Sequence, residues 1–233
     1  MKQKSILIGM PTGSGQIPVE TVQSLLQLHK PYPCGFMYVE RQRVDKCRNA
    51  FAMAALQNGA DYLFMVDDDN PIPSDTLEKF IEADKDVMSA PILGRVALPD
   101  GSRNICSFYS KQAKTSAGKI KLYFPITEFK DEGPLHKVDG TGAGCILIKR
   151  KVLEVLHKKY KDQIFEFGDI RFKEQMIDGK KYDRRTMSED CEFSERAVDA
   201  GFEIWLDDRI KPYHLTGSSA VQWGRVAPSP AGT

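Results

Sequence analysis

The sequence predicts an α/β fold built on an open, mostly parallel sheet with helices on both faces. Strand-like and helix-like segments alternate through the first half of the chain, an alternation typical of repeated βα units. The run Tyr62–Val66 is continuously apolar and ends abruptly in three aspartates. Such a run is typical of a central parallel strand that is covered on both faces.

Apolar periodicity and turn residues place the elements of the first half. Val22, Leu25 and Leu26 recur at helical spacing, which predicts a helix over 19–29. Residues Cys47 and Phe51 fall on one face of a second helix, over 44–58, and Gly59 supplies its stop. The remaining elements expected here are strands 5–9, 33–39, 62–66 and 86–93, and a helix capped by Ser74 that carries Leu77, Phe80 and Ile81 inward.

The second half is less regular, and it predicts a smaller antiparallel subsheet. A hairpin with a Lys-rich turn is expected over 107–123, and the segment 169–187 has little apolar periodicity, so it is expected to be a loop. The other expected elements are strand 145–148 after the glycine run 140–144, helix 151–160, helix 189–200 and strand 202–206.

Composition indicates a globular protein without a charge bias toward a polyanionic partner. The 233 residues carry a formal net charge of +1, which gives no general reason to expect nucleic acid or an anionic membrane as partner. We expect one domain over 1–225, with a first half over 1–100, a second half over 101–225, and a disordered tail over 226–233. The five cysteines are scattered without a C-x-x-C pair, and no segment is apolar for the length of a membrane span. A cytoplasmic location with no stable membrane insertion is therefore expected.

The triplet Asp67, Asp68 and Asp69 is the strongest chemical signal. Three adjacent carboxylates after an apolar strand repel one another unless a cation neutralises them, and carboxylate oxygens suit Mg²⁺ or Mn²⁺. A loop of solvated acids is the alternative. A calcium loop fits poorly, because Asn70, Pro71 and Ile72 replace its continuation after the triplet. A phosphatase D-x-D-x-T motif also fits poorly, because the acids follow a later strand than the first and the fifth position is Pro71.

Other polar residues gain meaning beside this triplet. Glu189 and Asp190 open a predicted helix after Ser188, and read alone they are better explained by helix capping and the helix dipole. First-turn N–H groups would also keep a carboxylate ionised, as a general base must be. His214 is a plausible imidazole ligand. Arg48 is a candidate for neutralising diphosphate charge, and the alternative is a solvent-facing arginine. Gly142 and Gly144 permit close backbone approach to a ligand, or form only a tight turn.

Together, these residues resemble the GT-A glycosyltransferases, particularly family 2-like members. The matching segments span roughly 5–217, and their order and spacing are more specific than any one motif. They are 6–12, Arg48-Asn49, 61–69, 142–148, Ser188-Glu189-Asp190 and His214.

The resemblance implies a D-x-D, metal-dependent nucleotide-sugar transferase that uses Mn²⁺ or Mg²⁺. Pro11 and Thr12 would receive the nucleotide base and ribose, and Asp67 the ribose or a metal-bound water. Asp69 would bind the metal directly, His214 would complete the site, and Asp67 would be a secondary ligand.

The resemblance also assigns the catalytic chemistry and leaves the partners open. Asp190 would be the base in an inverting reaction, with Glu189 as neighbour or substitute, and the segment 169–187 would be a mobile lid. The donor is expected to be a UDP- or GDP-sugar. The acceptor is open among a small metabolite, a lipid-linked sugar or other glycan, a protein and a modified DNA base. A sugar-phosphate nucleotidyltransferase and a non-catalytic nucleotide-sugar-binding protein are the alternative functions.

Overall fold

The computed structural model describes residues 3–95, 103–115, 118–126, 129, 132–168, 175–177, 180–182, 188–216 and 219–221. The helices in these ranges are α1 (Val19–Gln27), α2 (Val44–Gln57), α3 (Thr76–Ala83), α4 (Arg150–Tyr160) and α5 (Glu189–Asp199). None of the helices in the described ranges is both long and apolar enough to cross a membrane. The predicted disordered tail lies outside the described residues.

Within the described residues, the strands form one large sheet and three small ones. They are β1 (Ile6–Thr12), β2 (Cys34–Glu40), β3 (Tyr62–Val66), β4 (Val87–Ser89), β5 (Ser107–Thr115), β6 (Gly118–Pro125), β7 (Leu135–Val138), β8 (Gly140–Thr141), β9 (Cys145–Lys149), β10 (Gln175–Ile177), β11 (Lys180–Tyr182), β12 (Ile204–Asp207), β13 (His214–Thr216) and β14 (Ser219–Val221). The large sheet has the order β2-β1-β3-β9-β4-β12-β7, and strands β6, β5 and β8 form an antiparallel subsheet.

Five of the seven strands in the large sheet run in the same direction, which confirms the predicted mostly parallel α/β fold. Strands β1, β2 and β3 are parallel to one another, and β4 is parallel to β12. Strand β9 runs the opposite way between β3 and β4, with Cys145 opposite Val66. The start of β9 therefore lies at the edge of the sheet where β3 ends.

Strand β3 is the centre of the core. Leu63 and Met65 contact one hydrophobic cluster, with Phe51 of α2, whereas Phe64 and Val66 contact the cluster on the other face of the sheet. Each of these five side chains is fully buried, and burial of a large apolar side chain contributes about 1.5–3 kcal/mol. This packing confirms the expected central strand and fixes where its carboxyl end lies.

Helix α1 is oriented differently from what its apolar spacing suggests. Val22 is 39% exposed and Leu26 is 78% exposed, while Thr21 and Ser24 are buried. The Thr21 Oγ1 donates a 2.7 Å hydrogen bond to the Asp68 carbonyl oxygen, so the polar face of α1 packs on the loop after β3. Val22 and Leu26 instead line an open cavity of about 700 Å³ beside β2.

Three other predictions need correction. Helix α3 begins at Thr76 with Asp75 at its N-cap position, so Ser74 is not the cap. Strand β4 is shorter than the expected segment 86–93 because the main chain from Ile92 onward pairs with residues 104–106 instead of β9. The expected loop 169–187 contains the antiparallel pair of β10 and β11, and its other residues lie outside the described ranges.

Candidate functional site

The predicted site residues gather at one edge of the large sheet. Thr12 ends β1, and the aspartate triplet follows the end of β3. Gly144 precedes β9, and its carbonyl oxygen accepts a 3.0 Å hydrogen bond from the Asp67 backbone N–H. Parallel strands present their carboxyl ends at a common edge, and ligands of open α/β sheets bind there. The three aspartates, however, point to three different partners.

Asp67 faces the buried guanidinium of Arg48. The Arg48 Nη2 donates to both carboxylate oxygens of Asp67, at 3.1 and 3.4 Å. Arg48 is only 3% exposed, which excludes the solvent-facing alternative for this residue. Its side chain lies between the end of β3 and the start of α5, because its Nη1 donates to the Glu189 carboxylate.

Glu189 lies in the interior as the second partner of Arg48. Burial raises the pKa of Glu189; the Arg48 guanidinium opposes this rise, and the neighbouring Asp190 charge adds to it. The Arg48 Nε is a buried donor without a hydrogen-bond partner among the described residues. An ionic bridge therefore joins Asp67 to Glu189 beneath the surface of the site.

Asp68 faces the end of β1. Burial raises the pKa of the Asp68 carboxyl, while hydrogen bonds from the Thr12 side chain and the Gly13 backbone lower it. The Thr12 hydroxyl in turn accepts a 3.1 Å hydrogen bond from the Gly15 N–H. Asp68 thus ties the β1 loop to the triplet, and Pro11 lies within β1 beside Val39 of β2.

Asp69 faces His214, as the sequence predicts for a metal-ligand pair. The Asp69 Oδ2 lies 3.4 Å from the His214 Nε2. Two backbone hydrogen bonds hold the segments together: the Leu215 N–H donates to the Asp69 carbonyl oxygen at 2.8 Å, and the Tyr213 N–H donates to Pro71 at 3.0 Å. The chain after β12 is therefore docked along the triplet loop, which brings His214 to the site.

A third side chain, Arg95, joins this pair. Its Nη2 donates to the Asp69 Oδ2, and its Nε donates to the His214 Nε2 at 2.9 Å. Burial raises the pKa of Asp69, but His214 and Arg95 outweigh it and lower that pKa below its usual value. The positively charged guanidinium is therefore bound by one carboxylate and one imidazole.

The hydrogen bonds of His214 define its tautomer. Its Nδ1 lies 2.7 Å from the Leu93 carbonyl oxygen, which accepts only from a protonated nitrogen. The Nε2 accepts from Arg95 and therefore carries a lone pair. Metal-binding histidines usually have one ring nitrogen bound to a backbone carbonyl and the other unprotonated, and His214 has this arrangement with Arg95 in the place of a metal.

Asn70 completes the wall behind Asp69. Its Nδ2 donates to the Asp69 Oδ1 at 2.7 Å, which leaves the Oδ2 of that carboxylate to face Arg95 and His214. Asn70 is 2% exposed, and its own Oδ1 has no hydrogen-bond partner among the described residues. The amide therefore fixes the orientation of the Asp69 carboxylate.

Asp190 is half-buried at the first turn of α5. The Ser188 hydroxyl and the Cys191 N–H, the latter at 2.8 Å, both donate to its Oδ1. A Cβ on Gly142 would lie 3.6 Å from the other oxygen, Oδ2, so the glycine run lies against this carboxylate. Both hydrogen bonds to this carboxylate use Oδ1, so Oδ2 is the candidate base atom.

Gly144 lies close to two residues of the triplet loop. A Cβ at this position would lie 2.8 Å from the Ile92 Cδ1, 3.1 Å from the Asp67 Oδ2 and 3.2 Å from the Asn70 Nδ2. Atoms other than hydrogen do not approach a real Cβ at the shortest of these distances. The glycine run therefore allows the start of β9 to pack directly on the triplet.

The residues fit a divalent cation in part. No three His, Cys, Asp or Glu side chains converge on one point in the part of the chain that the structure describes. Asp69 and His214 supply one carboxylate oxygen and one neutral imidazole nitrogen, a set that suits Mn²⁺. The remaining positions would fall to oxygens from outside the chain, which agrees with a cation that is bound together with a phosphate.

Sequence reasoning missed two residues of this site. Asn70 directly follows the triplet, and its position is the signal that points to it. Arg95 has no such signal, because its closeness to His214 arises from the hydrogen bond between the His214 Nδ1 and the Leu93 carbonyl oxygen and from the isolated bridge between Leu93 and Ile105.

Comparisons with known proteins identify the fold. No protein-family model matches the sequence, and no curated protein matches it. The crystal structure of A197 from STIV matches with a TM-score of 0.54 and 17% identity, over 95% of this chain and 96% of that one. GalNAc-T7, crystallised with UDP, GalNAc and Mn²⁺, matches with a TM-score of 0.51 and 13% identity, over 99% of this chain and 46% of that one.

At these identities the similarity shows the fold alone. The chain has a GT-A-like α/β fold, which it shares with glycosyltransferases, and it spans less than half of the length of GalNAc-T7.

Proposed function

We propose that this chain is a metal-dependent glycosyltransferase that moves a sugar from a nucleotide diphosphate sugar to an acceptor hydroxyl. The observation that carries the proposal is the meeting of Asp69 and His214 from distant parts of the chain, 3.4 Å apart at the carboxyl edge of the sheet. The shared fold supports it, since GalNAc-T7 is crystallised with UDP and Mn²⁺.

Asp69 and His214 would hold Mn²⁺ or Mg²⁺, with Asp67 as a secondary ligand through bound water. The cation supplies Lewis-acid stabilisation of the negative charge that develops on the diphosphate leaving group. Asn70 orients the Asp69 carboxylate through its 2.7 Å hydrogen bond. Arg48 holds Asp67 in place from below, so in this proposal it acts on the donor only through that carboxylate.

Pro11 and Thr12 would border the nucleotide pocket at the end of β1, where the Thr12 side chain lowers the pKa of the Asp68 carboxyl. Asp190 serves as the base that accepts the proton of the acceptor hydroxyl in an inverting transfer. Its Oδ1 is occupied by Ser188 and Cys191, which leaves Oδ2 for that proton. Glu189 is bound to Arg48 in the interior and supports this arrangement from behind.

A thermal-shift panel tests the proposal. UDP-, GDP-, CMP- and dTDP-sugars are each added with and without Mn²⁺ to the wild type and to the Asp69→Ala and His214→Ala variants. We expect one nucleotide to raise the melting temperature of the wild type only when Mn²⁺ is present, and neither variant to respond. A metal-independent shift in all three proteins would contradict the metal assignment.

Product analysis separates the proposal from the nucleotidyltransferase alternative. A glycosyltransferase transfers the sugar to an acceptor, or slowly to water, and releases the nucleoside diphosphate as the leaving group. A nucleotidyltransferase instead releases pyrophosphate when it makes the sugar nucleotide. We expect Mn²⁺-dependent release of the nucleoside diphosphate by the wild type and its loss in Asp190→Asn. Binding of the donor with no release by the wild type would favour the non-catalytic alternative.

A further inference from the structure

Arg95 lies on the two atoms that the proposed function assigns to the metal. Its Nη2 contacts the Asp69 Oδ2, and its Nε donates to the His214 Nε2 at 2.9 Å. A lone pair that accepts from a guanidinium is unavailable to a metal ion. Arg95 in this position and a divalent cation on the same pair of atoms therefore exclude each other.

Hydrogen bonds hold the main chain around Arg95, whereas most of its side chain is exposed to solvent. The Gly94 N–H donates to the Asn104 carbonyl oxygen at 2.8 Å, and the Arg103 guanidinium donates to the carbonyl oxygens of Gly94 and Arg95. The side chain of Arg95, in contrast, is 64% exposed. A change of side-chain rotamer is therefore enough to withdraw the guanidinium from Asp69 without moving the loop.

The displaced guanidinium would remain beside the incoming ligand. A cation bound by only two protein side chains needs further oxygens, and the proposed donor brings them as a diphosphate. A guanidinium with five N–H donors is well suited to phosphate oxygens. Because the main chain of Arg95 stays in place, its guanidinium remains at the same edge of the sheet.

We propose that Arg95 is the resident counter-cation of the Asp69–His214 pair, that a divalent cation displaces it, and that it then binds the diphosphate of the donor. This inference rests on the proposed function, because it takes Asp69 and His214 as metal ligands. It assigns to Arg95 two effects of opposite sign: Arg95 weakens binding of the metal alone, and it strengthens binding of the nucleotide once the metal is present.

The test measures Mn²⁺ and UDP binding separately in Arg95→Gln. Electron paramagnetic resonance of free Mn²⁺ gives the metal affinity without nucleotide, and calorimetry gives the UDP affinity at saturating Mn²⁺. We expect about fivefold tighter Mn²⁺ binding, a size consistent with losing a mostly exposed ion pair, and about tenfold weaker UDP binding.

Arg150→Gln is the matched control. Arg150 also pairs with a carboxylate, that of Asp61 at 2.9 Å, but it does so at the opposite end of β3. Arg150→Gln changes the net charge by the same amount as Arg95→Gln, and we expect its Mn²⁺ and UDP affinities to equal those of the wild type. Equal changes in the two variants would indicate a general effect of net charge and would overturn the inference.

The other outcomes are equally decisive. Unchanged or weaker Mn²⁺ binding by Arg95→Gln overturns the counter-cation claim, and unchanged or tighter UDP binding overturns the diphosphate claim. If wild-type Mn²⁺ binding does not depend on Asp69, as judged with Asp69→Asn, the proposed metal site itself fails. If that dependence holds and Arg95→Gln behaves as the wild type, only the inference about Arg95 fails.

Discussion

The buried bridge of Arg48 gives a sharp prediction about stability. The side chains of Arg48 and Glu189 are 4% and 6% exposed, and that of Asp67 is 29% exposed. Arg48→Met keeps an unbranched apolar stem but removes the guanidinium and its charge. Breaking a buried ion pair from one side costs about 3–5 kcal/mol, because the remaining charge is left without compensation. We expect the free energy of unfolding, measured by urea denaturation, to fall by about that amount.

A second substitution shows whether the uncompensated charge causes this loss. Glu189→Gln in the Arg48→Met background removes the buried carboxylate, so the double variant should recover about 1–3 kcal/mol. Arg150→Met is the comparison, since the side chains of Arg150 and Asp61 are 30% and 28% exposed and a partly exposed pair contributes about 1 kcal/mol or less. A double variant no more stable than Arg48→Met, or equal losses in the two arginine variants, would refute the reasoning.

From the same ion pairs we predict how the loss of stability in Arg48→Met depends on pH. Burial already raises the pKa of Glu189 above its ordinary value of 4.5, and Arg48 is the group that opposes this rise. Removal of Arg48 therefore raises that pKa further. A carboxyl whose pKa is raised in the folded state destabilises the protein as the pH rises through that pKa. The difference in the free energy of unfolding between wild type and Arg48→Met should consequently narrow as the pH falls from neutral toward 4.5. A difference that stays constant over this pH range would contradict this.

Two further predictions concern neighbours of the site. Asn49 holds the backbone of Phe165 by donating to its carbonyl oxygen at 2.6 Å and accepting from its N–H at 2.9 Å. Asn49→Ala should lower the free energy of unfolding by about 2–4 kcal/mol in urea denaturation, because both buried backbone groups lose their partner, and a loss near zero would contradict this. Gly144→Ala should abolish the Mn²⁺-dependent thermal shift, because the new Cβ displaces Asp67 and Asn70. Gly35→Ala is the control, since a Cβ there would lie 3.6 Å from Leu7 alone, and it should leave the thermal shift unchanged. An unaffected thermal shift in Gly144→Ala would show that this close approach is not needed.

Local patterns were sufficient to predict the centre of the fold. The apolar run of β3 and the abrupt change to three aspartates are properties of adjacent residues, and the structure places them as expected. The spacing in α2 predicted its buried face for the same reason, since Cys47 and Phe51 both lie in the core. Short-range periodicity records which face of an element is buried when one face is clearly more apolar.

Helix α1 shows where this reasoning fails. Its apolar residues predicted the helix itself, but Thr21 and Ser24 are the buried ones. The hydrogen bond from Thr21 to the Asp68 carbonyl oxygen joins two segments that are distant in sequence. Periodicity within the helix contains no information about that contact, so the buried face could not be predicted from it.

In the candidate site, too, local features were predictable from the sequence and long-range contacts were not. Asp69 and His214 were predicted by type and by order along the chain, and the structure brings them together. The separate partners of Asp67, Asp68 and Asp69 were not predicted, because they depend on how α2, β1 and the segment after β4 pack around one turn. Arg95 reaches the site only through that packing, and no spacing in the sequence links it to His214.

A crystal soaked with Mn²⁺ and UDP, with anomalous diffraction recorded at the manganese absorption edge, tests the central claim most directly. We predict one strong anomalous peak in contact with the Asp69 carboxylate and the His214 Nε2, with the Arg95 guanidinium withdrawn from both. A peak bound elsewhere, or no peak while UDP occupies the carboxyl edge of the sheet, would contradict the assignment of this pair as the metal site.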